Sequence, residues 1–279
     1  MKALPLVTAL VISFPASAWA GPVRGARGQY LSPSNPAADR YQEGSLSLGY
    51  YFRNRDNAAA SRPDGSGSAH LLQRLFLRDA VRGDHLSLLA DVTTLTGRES
   101  GKRFELTQCD YQLGVALQSG AFRLQFDREE YLPVDRGGLS YRYWDARGAL
   151  VFGDLGGPPG KQPNRRGGGF GGLLSVGHFL RNKAFPARRD LSGEAYMRYG
   201  ARLEALALRG LRLSVEADAL TDEHHRRYAP ANLDLSLGVG FRHKGVETGI
   251  VRESSDALDR PGYDSRWLFL VTYHFDSSR

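Results

Sequence analysis

The sequence lacks both disulfide partners and long hydrophobic runs. Cys109 is the only cysteine among 279 residues, so an exported protein with this sequence is not held together by internal disulfides. After residue 20 no stretch reaches about 18 consecutive apolar residues, which excludes a helical membrane span by the usual criterion. With a mean hydropathy of -0.39, the chain has almost no other hydrophobic blocks that could supply one.

Lysine is also scarce, and most of the positive charge comes from arginine. The formal net charge is +7, from 37 Lys and Arg against 30 Asp and Glu. A basic balance favours anionic partners, which for an exported protein are lipid or polysaccharide phosphates rather than nucleic acid. The lysines are Lys2, Lys102, Lys161, Lys183 and Lys244.

Residues 1–20, MKALPLVTALVISFPASAWA, have the pattern of a secretory signal peptide. A lysine precedes an apolar stretch that is too short to span a bilayer, and Ala18-Trp19-Ala20 matches an A-x-A cleavage site. We therefore expect an exported protein that begins at Gly21 after cleavage.

Apolar residues recur with a period of two through most of the remaining chain. Leu46, Leu48, Tyr50 and Phe52 alternate with small and polar residues and with Tyr51. Such alternation predicts strands with one apolar face, and the helical period fits none of these runs. The same pattern occupies 86–93, 110–117, 122–127, 211–219 and 233–242.

Short and long connections alternate between these segments. Short glycine-containing turns are predicted at 82–84, 119–120, 209–210 and 243–245. Long polar segments are predicted at 54–69, 97–104, 181–193, 222–231 and 254–263. Barrels of the bacterial outer membrane have short periplasmic turns and long external loops, so the alternation favours a transmembrane barrel.

We predict an all-β fold with about twelve antiparallel strands. An even number returns both ends of the barrel to one side, and it places the long connection 155–172 on the periplasmic side. If 145–148 is instead a turn, the count changes, so ten or fourteen strands stay open. The twelve strands are predicted near 45–53, 70–80, 84–95, 107–118, 121–132, 138–152, 171–181, 194–208, 211–221, 232–243, 245–253 and 264–275.

The last predicted strand contains the run WLFLVTYHF. Its residues Trp267, Phe269, Val271, Tyr273 and Phe275 share one face. This run resembles the closing strand of bacterial outer-membrane β-barrel proteins, whose assembly machinery recognises a strand ending in an aromatic residue, although four residues follow the aromatic here. The class-level resemblance implies a transmembrane antiparallel up-and-down β-barrel in the outer membrane of a Gram-negative cell envelope.

This interpretation divides the chain into four parts. They are a signal peptide at 1–20, a periplasmic N-terminal segment at 21–44, the β-barrel at 45–275 and a C-terminal tail at 276–279. The expected partners are outer-membrane lipids, lipopolysaccharide and the barrel-assembly machinery, with small solutes as a further class and no nucleic acid. Basic outer loops could neutralise lipopolysaccharide phosphates or be ordinary solvated loops.

The face opposite the apolar one carries charges of both signs. These charges either form ladders of ion pairs that fill the barrel or line a narrow pore. The residues predicted to line the pore are Arg53, Arg74, Asp91, Asp110, Arg123, Asp127, Arg202, Glu204, Arg212, Glu216, Asp218, Asp234 and Arg242. Aromatic residues near strand ends are predicted to form an interfacial girdle, comprising Tyr50, Phe52, Tyr111, Tyr131, Tyr141, Tyr143, Tyr199, Trp267 and Tyr273.

No catalytic motif stands out, and we predict no catalytic residue, metal site or cofactor. There is no G-x-S-x-G, no H-E-x-x-H and no cysteine pair. The best cluster, Asp222-Glu223-His224-His225, resembles an outer-membrane protease loop in placing Asp and His together, but a second acidic pair is missing. Three interpretations of this cluster stay open: a solvated charged loop, an adventitious metal site or a catalytic element. His70 and His178 each stand without a nearby nucleophile.

The sequence therefore predicts a narrow porin-like channel or a non-enzymatic envelope protein with a charged lumen. One alternative is an outer-membrane surface enzyme acting on lipid or peptide. Another is a soluble secreted β-barrel binding protein, in which the apolar face of each strand would point inward.

Overall fold

A computed structural model of the chain describes residues 40–56, 69–81, 86–97, 106–133, 140–153, 169–183, 194–206, 210–224, 226–243, 245–258 and 263–276. No helix in this part of the chain is long and apolar enough to cross a membrane. The described residues form twelve strands: β1 (Arg40–Asp56), β2 (Ala69–Val81), β3 (Leu86–Gly97), β4 (Leu106–Ser119), β5 (Phe122–Pro133), β6 (Tyr141–Gly153), β7 (Gly169–Lys183), β8 (Ala195–Leu206), β9 (Leu211–Asp222), β10 (Arg226–His243), β11 (Val246–Ala257) and β12 (Tyr263–Asp276).

The strands close into one antiparallel up-and-down barrel. Each strand pairs with its neighbours in sequence, and β12 pairs with β1 from Asp276 opposite Glu43 to Asp264 opposite Asp56. Closure removes the sheet edges that would otherwise expose unpaired backbone groups. The predicted fold class and the count of twelve are confirmed. Residues 145–148 lie inside β6, so the ten- and fourteen-strand alternatives are wrong.

Most strand positions agree with the prediction, but β10 is longer than expected. It begins at Arg226, and the predicted polar connection 222–231 is mostly strand, with turn residues at 223 and 224. The pairing of β10 with β9 shifts register on both sides of Pro230. Proline has no N–H for the ladder, so the irregularity there disguises the strand in the sequence.

The apolar face of each strand points outward. Leu213, Leu237 and Phe269 are 44%, 41% and 43% exposed, although they belong to the most apolar runs of the chain. Their neighbours Ser214, Gly238 and Leu268 face the interior, as the period of two requires. The inward-facing arrangement expected of a soluble barrel is not observed, and the exposed belt has the polarity of a surface that contacts lipid.

The interior is not uniformly polar. Tyr51, Leu72, Leu95 and Leu268 form one buried apolar cluster near the strand ends that bear the long connections. A second cluster at the same end lies across the barrel on β5 to β9, and it contains Tyr131, Tyr143, Phe179, Ala195 and Leu220.

Two tyrosines of this second cluster correct the predicted aromatic girdle. Tyr131 and Tyr143 are 2% and 1% exposed and face inward, so their assignment to the girdle was wrong. They share the strand face of Glu129 and Asp145, which position near a strand end does not reveal. The side chain of Tyr141 lies outside the described residues. The remaining members, Tyr50, Phe52, Tyr111, Tyr199, Trp267 and Tyr273, lie on the outer face.

Charge placed on the outer face should destabilise the barrel in lipid. Leu237 lies in the middle of the outward-facing run Leu233–Phe241, so Leu237→Arg is expected to lower the free energy of unfolding in lipid vesicles by about 2–4 kcal/mol. Urea titration followed by tryptophan fluorescence measures this loss. The matched control is Ser236→Arg, because Ser236 faces inward between Glu216 and Glu253 and should accept the new charge with a smaller loss. Equal losses would contradict the assignment of the two faces.

Candidate functional site in the barrel interior

The described side chains among the predicted pore-lining residues all lie on the interior face. The side chain of Arg53 lies outside the described residues. The period of two places the others inside because each alternates with an outward apolar residue. They are Arg74, Asp91, Asp110, Arg123, Asp127, Arg202, Glu204, Arg212, Glu216, Asp218, Asp234 and Arg242.

Several of these charges form ion pairs between neighbouring strands. On β2 and β3, Arg74 donates from Nε to both carboxylate oxygens of Asp91 at 2.9 and 3.1 Å, and its Nη2 also contacts that carboxylate. On β8 and β9, Arg198 Nε lies 2.9 Å from Asp218 Oδ1, and Nη2 donates to Oδ2. Such bidentate ion pairs hold the guanidinium group against the barrel wall.

A longer chain of contacts between polar and charged side chains links β8, β9, β11 and β12. Arg202 contacts Glu204, and Arg212 Nη2 donates to Glu204 Oε2 at 2.6 Å. Arg212 Nη1 donates to Glu247 Oε2 at 2.7 Å, and His274 Nε2 lies 3.0 Å from the same oxygen. We call these five residues the charge chain.

The charge chain passes over β10 at a glycine. Gly240 pairs with Arg212 on one side and with Gly249 on the other, so it lies between Arg212 and the strand that carries Glu247. A Cβ atom at Gly240 would stand 3.3 Å from Glu247 Oε1. The missing side chain therefore lets Arg212 reach across a whole strand.

Two carboxylates on β5 and β6 share one arginine. Asp127 and Asp145 are directly opposite each other in the ladder, and both are fully buried. Arg147 Nη2 lies 2.6 Å from Asp145 Oδ2 and 3.4 Å from Asp127 Oδ2. Gln125 donates to Asp127 at 2.6 Å. Two like charges at this separation depend on the guanidinium between them.

A small cavity that opens to solvent lies beside these pairs. Four arginines and two acids line it, so the lining carries two more positive than negative groups. Small residues from β6, β7 and β8, namely Ala149, Ser175 and Gly200, leave the space that longer side chains would fill. The charged lining residues are Arg123, Arg147, Arg198, Arg202, Glu216 and Asp218.

Sequence reasoning missed several members of these networks. Asp145 and Arg147 were overlooked because 145–148 could be a turn, and Glu247 because it follows directly on the Gly245 turn. His274 lies within the aromatic terminal run and was not recognised as interior. A strict extension of the period of two through each strand would have placed all four on the inner face.

The histidine cluster predicted at 222–225 has a structural explanation in its described part. Asp222 Oδ1 accepts a hydrogen bond from the His224 amide at 2.9 Å, which closes the turn between β9 and β10. His178 faces outward and packs edge-on against Tyr196 at 4.7 Å. His225 and the side chain of His70 lie outside the described residues. No group of three His, Cys, Asp or Glu within the described ranges could hold a metal ion.

Comparisons with solved structures find proteins whose fold is similar to that of this chain. No family model and no curated protein matches the chain. The chain is similar to the KdgM porin, with 7% identity, a TM-score of 0.46 and coverage of 84% of this chain and 99% of that one. It is similar to LpxR from Salmonella typhimurium, with 10% identity, a TM-score of 0.46 and coverage of 84% and 100%. It is also similar to an outer membrane channel from Pseudomonas putida F1, with 11% identity, a TM-score of 0.41 and coverage of 89% and 98%. The class-level resemblance to outer-membrane barrels agrees with the closed antiparallel barrel and its exposed apolar face described above.

Removing the shared arginine should destabilise the barrel. Arg147→Met leaves Asp127 and Asp145 buried without their cation, so the free energy of unfolding in detergent or vesicles should fall by about 3–5 kcal/mol. Adding Asp145→Asn should recover part of the lost stability, because it removes one of the two buried carboxylate charges that no longer have a cation. Urea unfolding of the two variants measures both effects. A double variant as unstable as Arg147→Met alone would show that the carboxylates do not depend on the arginine.

Proposed function

We propose that the protein is a channel of narrow bore in the bacterial outer membrane, through which small hydrophilic solutes pass. The observation that carries this proposal is the charged cavity inside a closed barrel whose outer face is apolar. The protein would reach its location by export through a cleaved signal peptide and be inserted by the barrel-assembly machinery through β12.

The orientation follows from the two ends of the barrel. The start of β1, the end of β12 and the tight turns at Gly120 and Gly245 lie at one end. Most of the longer gaps between strands, such as 57–68 and 98–105, lie at the other end, and the gap 154–168 between β6 and β7 is the exception at the first end. Outer-membrane barrels place short turns in the periplasm, so the end with the longer connections faces outward.

The arrangement of interior charges supports conduction over a filled barrel. Most of the interior arginines described above lie against the wall in pairs with acids on adjacent strands, as Arg198 does with Asp218. Because the paired side chains lie along the barrel wall, they leave space beside Ala149, Ser175 and Gly200, where the cavity opens. A barrel in which ion pairs only fill the interior would not need this concentration of small residues.

The lining charges also predict how the channel would select ions. Fixed charges beside a narrow pathway attract counter-ions and repel ions of like sign. Arginines outnumber acids in the cavity lining by four to two. We therefore expect a net preference for anions at this point of the pathway. The acidic residues Glu216 and Asp218 should limit the strength of that preference.

Filling the cavity should lower conductance. Ala149→Trp places an indole in the lined space, so single-channel conductance in planar bilayers should fall to less than half of the wild-type value. The matched control is Gly148→Trp, since Gly148 is the neighbouring residue on the outer face and a Cβ there would meet only Leu124 at 3.9 Å. Conductance steps of unchanged size in Ala149→Trp, or no steps from the wild-type barrel, would contradict the channel proposal.

Removing one negative charge or one positive charge from the lining should shift the ion selectivity in opposite directions. Glu216→Gln removes a negative charge and should raise the chloride-to-potassium permeability ratio, whereas Arg202→Gln should lower it. Reversal potentials in a KCl gradient measure both ratios. Arg252→Gln removes one positive charge from the outer wall and serves as the control, with no expected shift. Shifts of the same sign in both interior variants would exclude the cavity from the ion pathway.

A further inference from the structure

The outer end of β10 contains a bulge that leaves the sheet. The ladder with β9 skips residues 227–229, Arg-Tyr-Ala, between the pairs at Arg226 and Pro230. Among the described residues, the ladder with β11 begins only at Asn232. All three bulge residues are exposed, and Tyr228 is 70% exposed. Bulges redirect side chains away from the positions that regular alternation would give them.

The bulge places an arginine and a tyrosine against the outer face of β8. The ring of Tyr228 lies 6.0 Å from that of Tyr196, and the two side chains are hydrogen-bonded. The hydroxyl of Tyr199 donates to the main-chain oxygen of Tyr228 at 3.2 Å. The guanidinium carbon of Arg227 lies 5.5 Å from the centroid of the Tyr196 ring, a cation–π contact. We call Tyr196, Arg227 and Tyr228 the rim platform.

Neighbouring groups hold the rim platform in place. The ring of His178 on β7 packs edge-on against Tyr196. Arg227 donates from Nε to the main-chain oxygen of Glu223 at 3.1 Å, which fixes the guanidinium above the ring. The carboxylate of Glu223 also lies within electrostatic range of Tyr196. An anionic ligand would therefore have to contact the guanidinium directly, because the surrounding field is not strongly positive.

The height of the rim platform can be estimated along the strands. Tyr196 is ten residues from Leu206, where β8 ends on the periplasmic side. Its neighbour His178 is nine residues from Gly169, where β7 begins on the same side. With a rise of about 3.3 Å per residue and a tilt of about 40°, both backbones stand about 23–25 Å above that end. An apolar belt is about 25 Å tall, so the rim platform lies at the level of the outer headgroups.

The barrel wall below the rim platform is shallow. In one row across four strands, Leu174, Ala201, Ala217 and Leu235 lie opposite one another in turn, and all four face outward. The two alanines therefore form a depression between two leucines. Above them, Ala219 lies directly opposite Tyr199, which continues the depression up to the tyrosines. A hydrocarbon chain can lie in this depression while its headgroup contacts the rim platform.

An interfacial girdle does not explain the rim platform. A girdle tyrosine reaches the outer face by ordinary alternation, as Tyr199 does. Tyr228 reaches it only because residues 227–229 leave the ladder with β9, which costs backbone hydrogen bonds between the strands. The bulge also brings an arginine to the same place. A displaced segment that presents an aromatic ring and a guanidinium together is better explained by a ligand than by anchoring alone.

We propose that the rim platform binds the phosphorylated sugar headgroup of a glycolipid in the outer leaflet. The exposed ring of Tyr228 offers a flat apolar surface to a sugar ring, and the guanidinium of Arg227 matches two phosphate oxygens. An acyl chain of the same molecule would lie over Ala201 and Ala217. The proposal rests on the outer-membrane placement in the proposed function, but it does not depend on conduction.

The test is native mass spectrometry of the full-length protein in detergent, titrated with purified bisphosphorylated lipid A. Tyr228→Ala should weaken retention of the glycolipid about tenfold, because the stacking surface is lost, whereas Tyr228→Phe should keep most of the affinity. Arg227→Gln should also weaken retention about tenfold, because the charge-assisted hydrogen bonds to phosphate are lost. The matched control is Phe52→Ala, which removes an outward aromatic ring on β1 and should bind like the wild type.

Two ligand controls identify the chemistry. Enzymatically dephosphorylated lipid A should bind more weakly than lipid A and equally to Arg227→Gln and the wild type. Phosphatidylglycerol, which has a phosphate but no sugar ring, should also bind more weakly. Undiminished binding of lipid A by Tyr228→Ala, an equal loss in Phe52→Ala or equal binding of phosphatidylglycerol would overturn the proposal.

Two further measurements keep the result interpretable. Heat-modifiable migration in gels confirms that each variant is folded. Single-channel conductance of the wild type tests the channel function separately, and Tyr228→Ala should conduct like the wild type because the rim platform lies outside the lumen. Failure of glycolipid binding therefore leaves the channel proposal measurable, and failure of conduction leaves the glycolipid site measurable.

Discussion

The pairing of β12 with β1 is the constraint on which the rest of the structure depends. In hydrocarbon no water can satisfy a free amide or carbonyl, so a sheet is stable there only when it has no edges. Along this seam Ser47 and Thr272 add an interior contact of 2.9 Å between their hydroxyl oxygens. Once the sheet is closed, each side chain has only two environments, the bilayer or the interior, and the alternation of the sequence decides between them.

The interior replaces most of an apolar core with cross-strand ion pairs. Arg74 with Asp91 and Arg198 with Asp218 each join neighbouring strands, and the charge chain joins four strands. Buried pairs of this kind contribute little net stability over apolar residues, but they are interdependent, because removing one partner leaves a charge in a poorly solvated place. They hold long side chains against the wall, which a water-accessible pathway requires. The two apolar clusters lie near the strand ends that bear most of the longer connections.

The sequence allowed the fold to be predicted because a period of two is simple to recognise over long stretches. Residues such as Leu213 and Phe269 were placed on the correct face because their strands alternate strictly. The errors occurred where a second rule competes with the alternation. Tyr131 and Tyr143 lie near strand ends, where aromatics are common at the interface, but their phase puts them inside. Pro230 interrupts the ladder of β10, so polar and turn-forming residues around it concealed a continuing strand.

The site was less predictable than the fold for a geometric reason. Alternation tells which face a residue occupies but gives no register between strands, and register decides which charges meet. Arg212 is predicted to face inward from its own strand, but its contact with Glu247 crosses an intervening strand and depends on Gly240. Similarly, the pairing of Arg147 with two carboxylates requires Asp127 and Asp145 to be opposite each other in the ladder. Neither relation can be derived from spacing along one chain segment.

The crossing at Gly240 has a consequence for how this sequence can diverge. Most outward residues can be exchanged for other apolar residues, because the hydrocarbon that surrounds them is fluid and adapts to shape. At residue 240 even a methyl group would lie 3.3 Å from Glu247 Oε1 and 3.3 Å from the carbonyl oxygen of Thr248, closer than most such contacts. Residue 240 is therefore limited by the room that Glu247 leaves, and a larger side chain there would require a compensating change at residue 247.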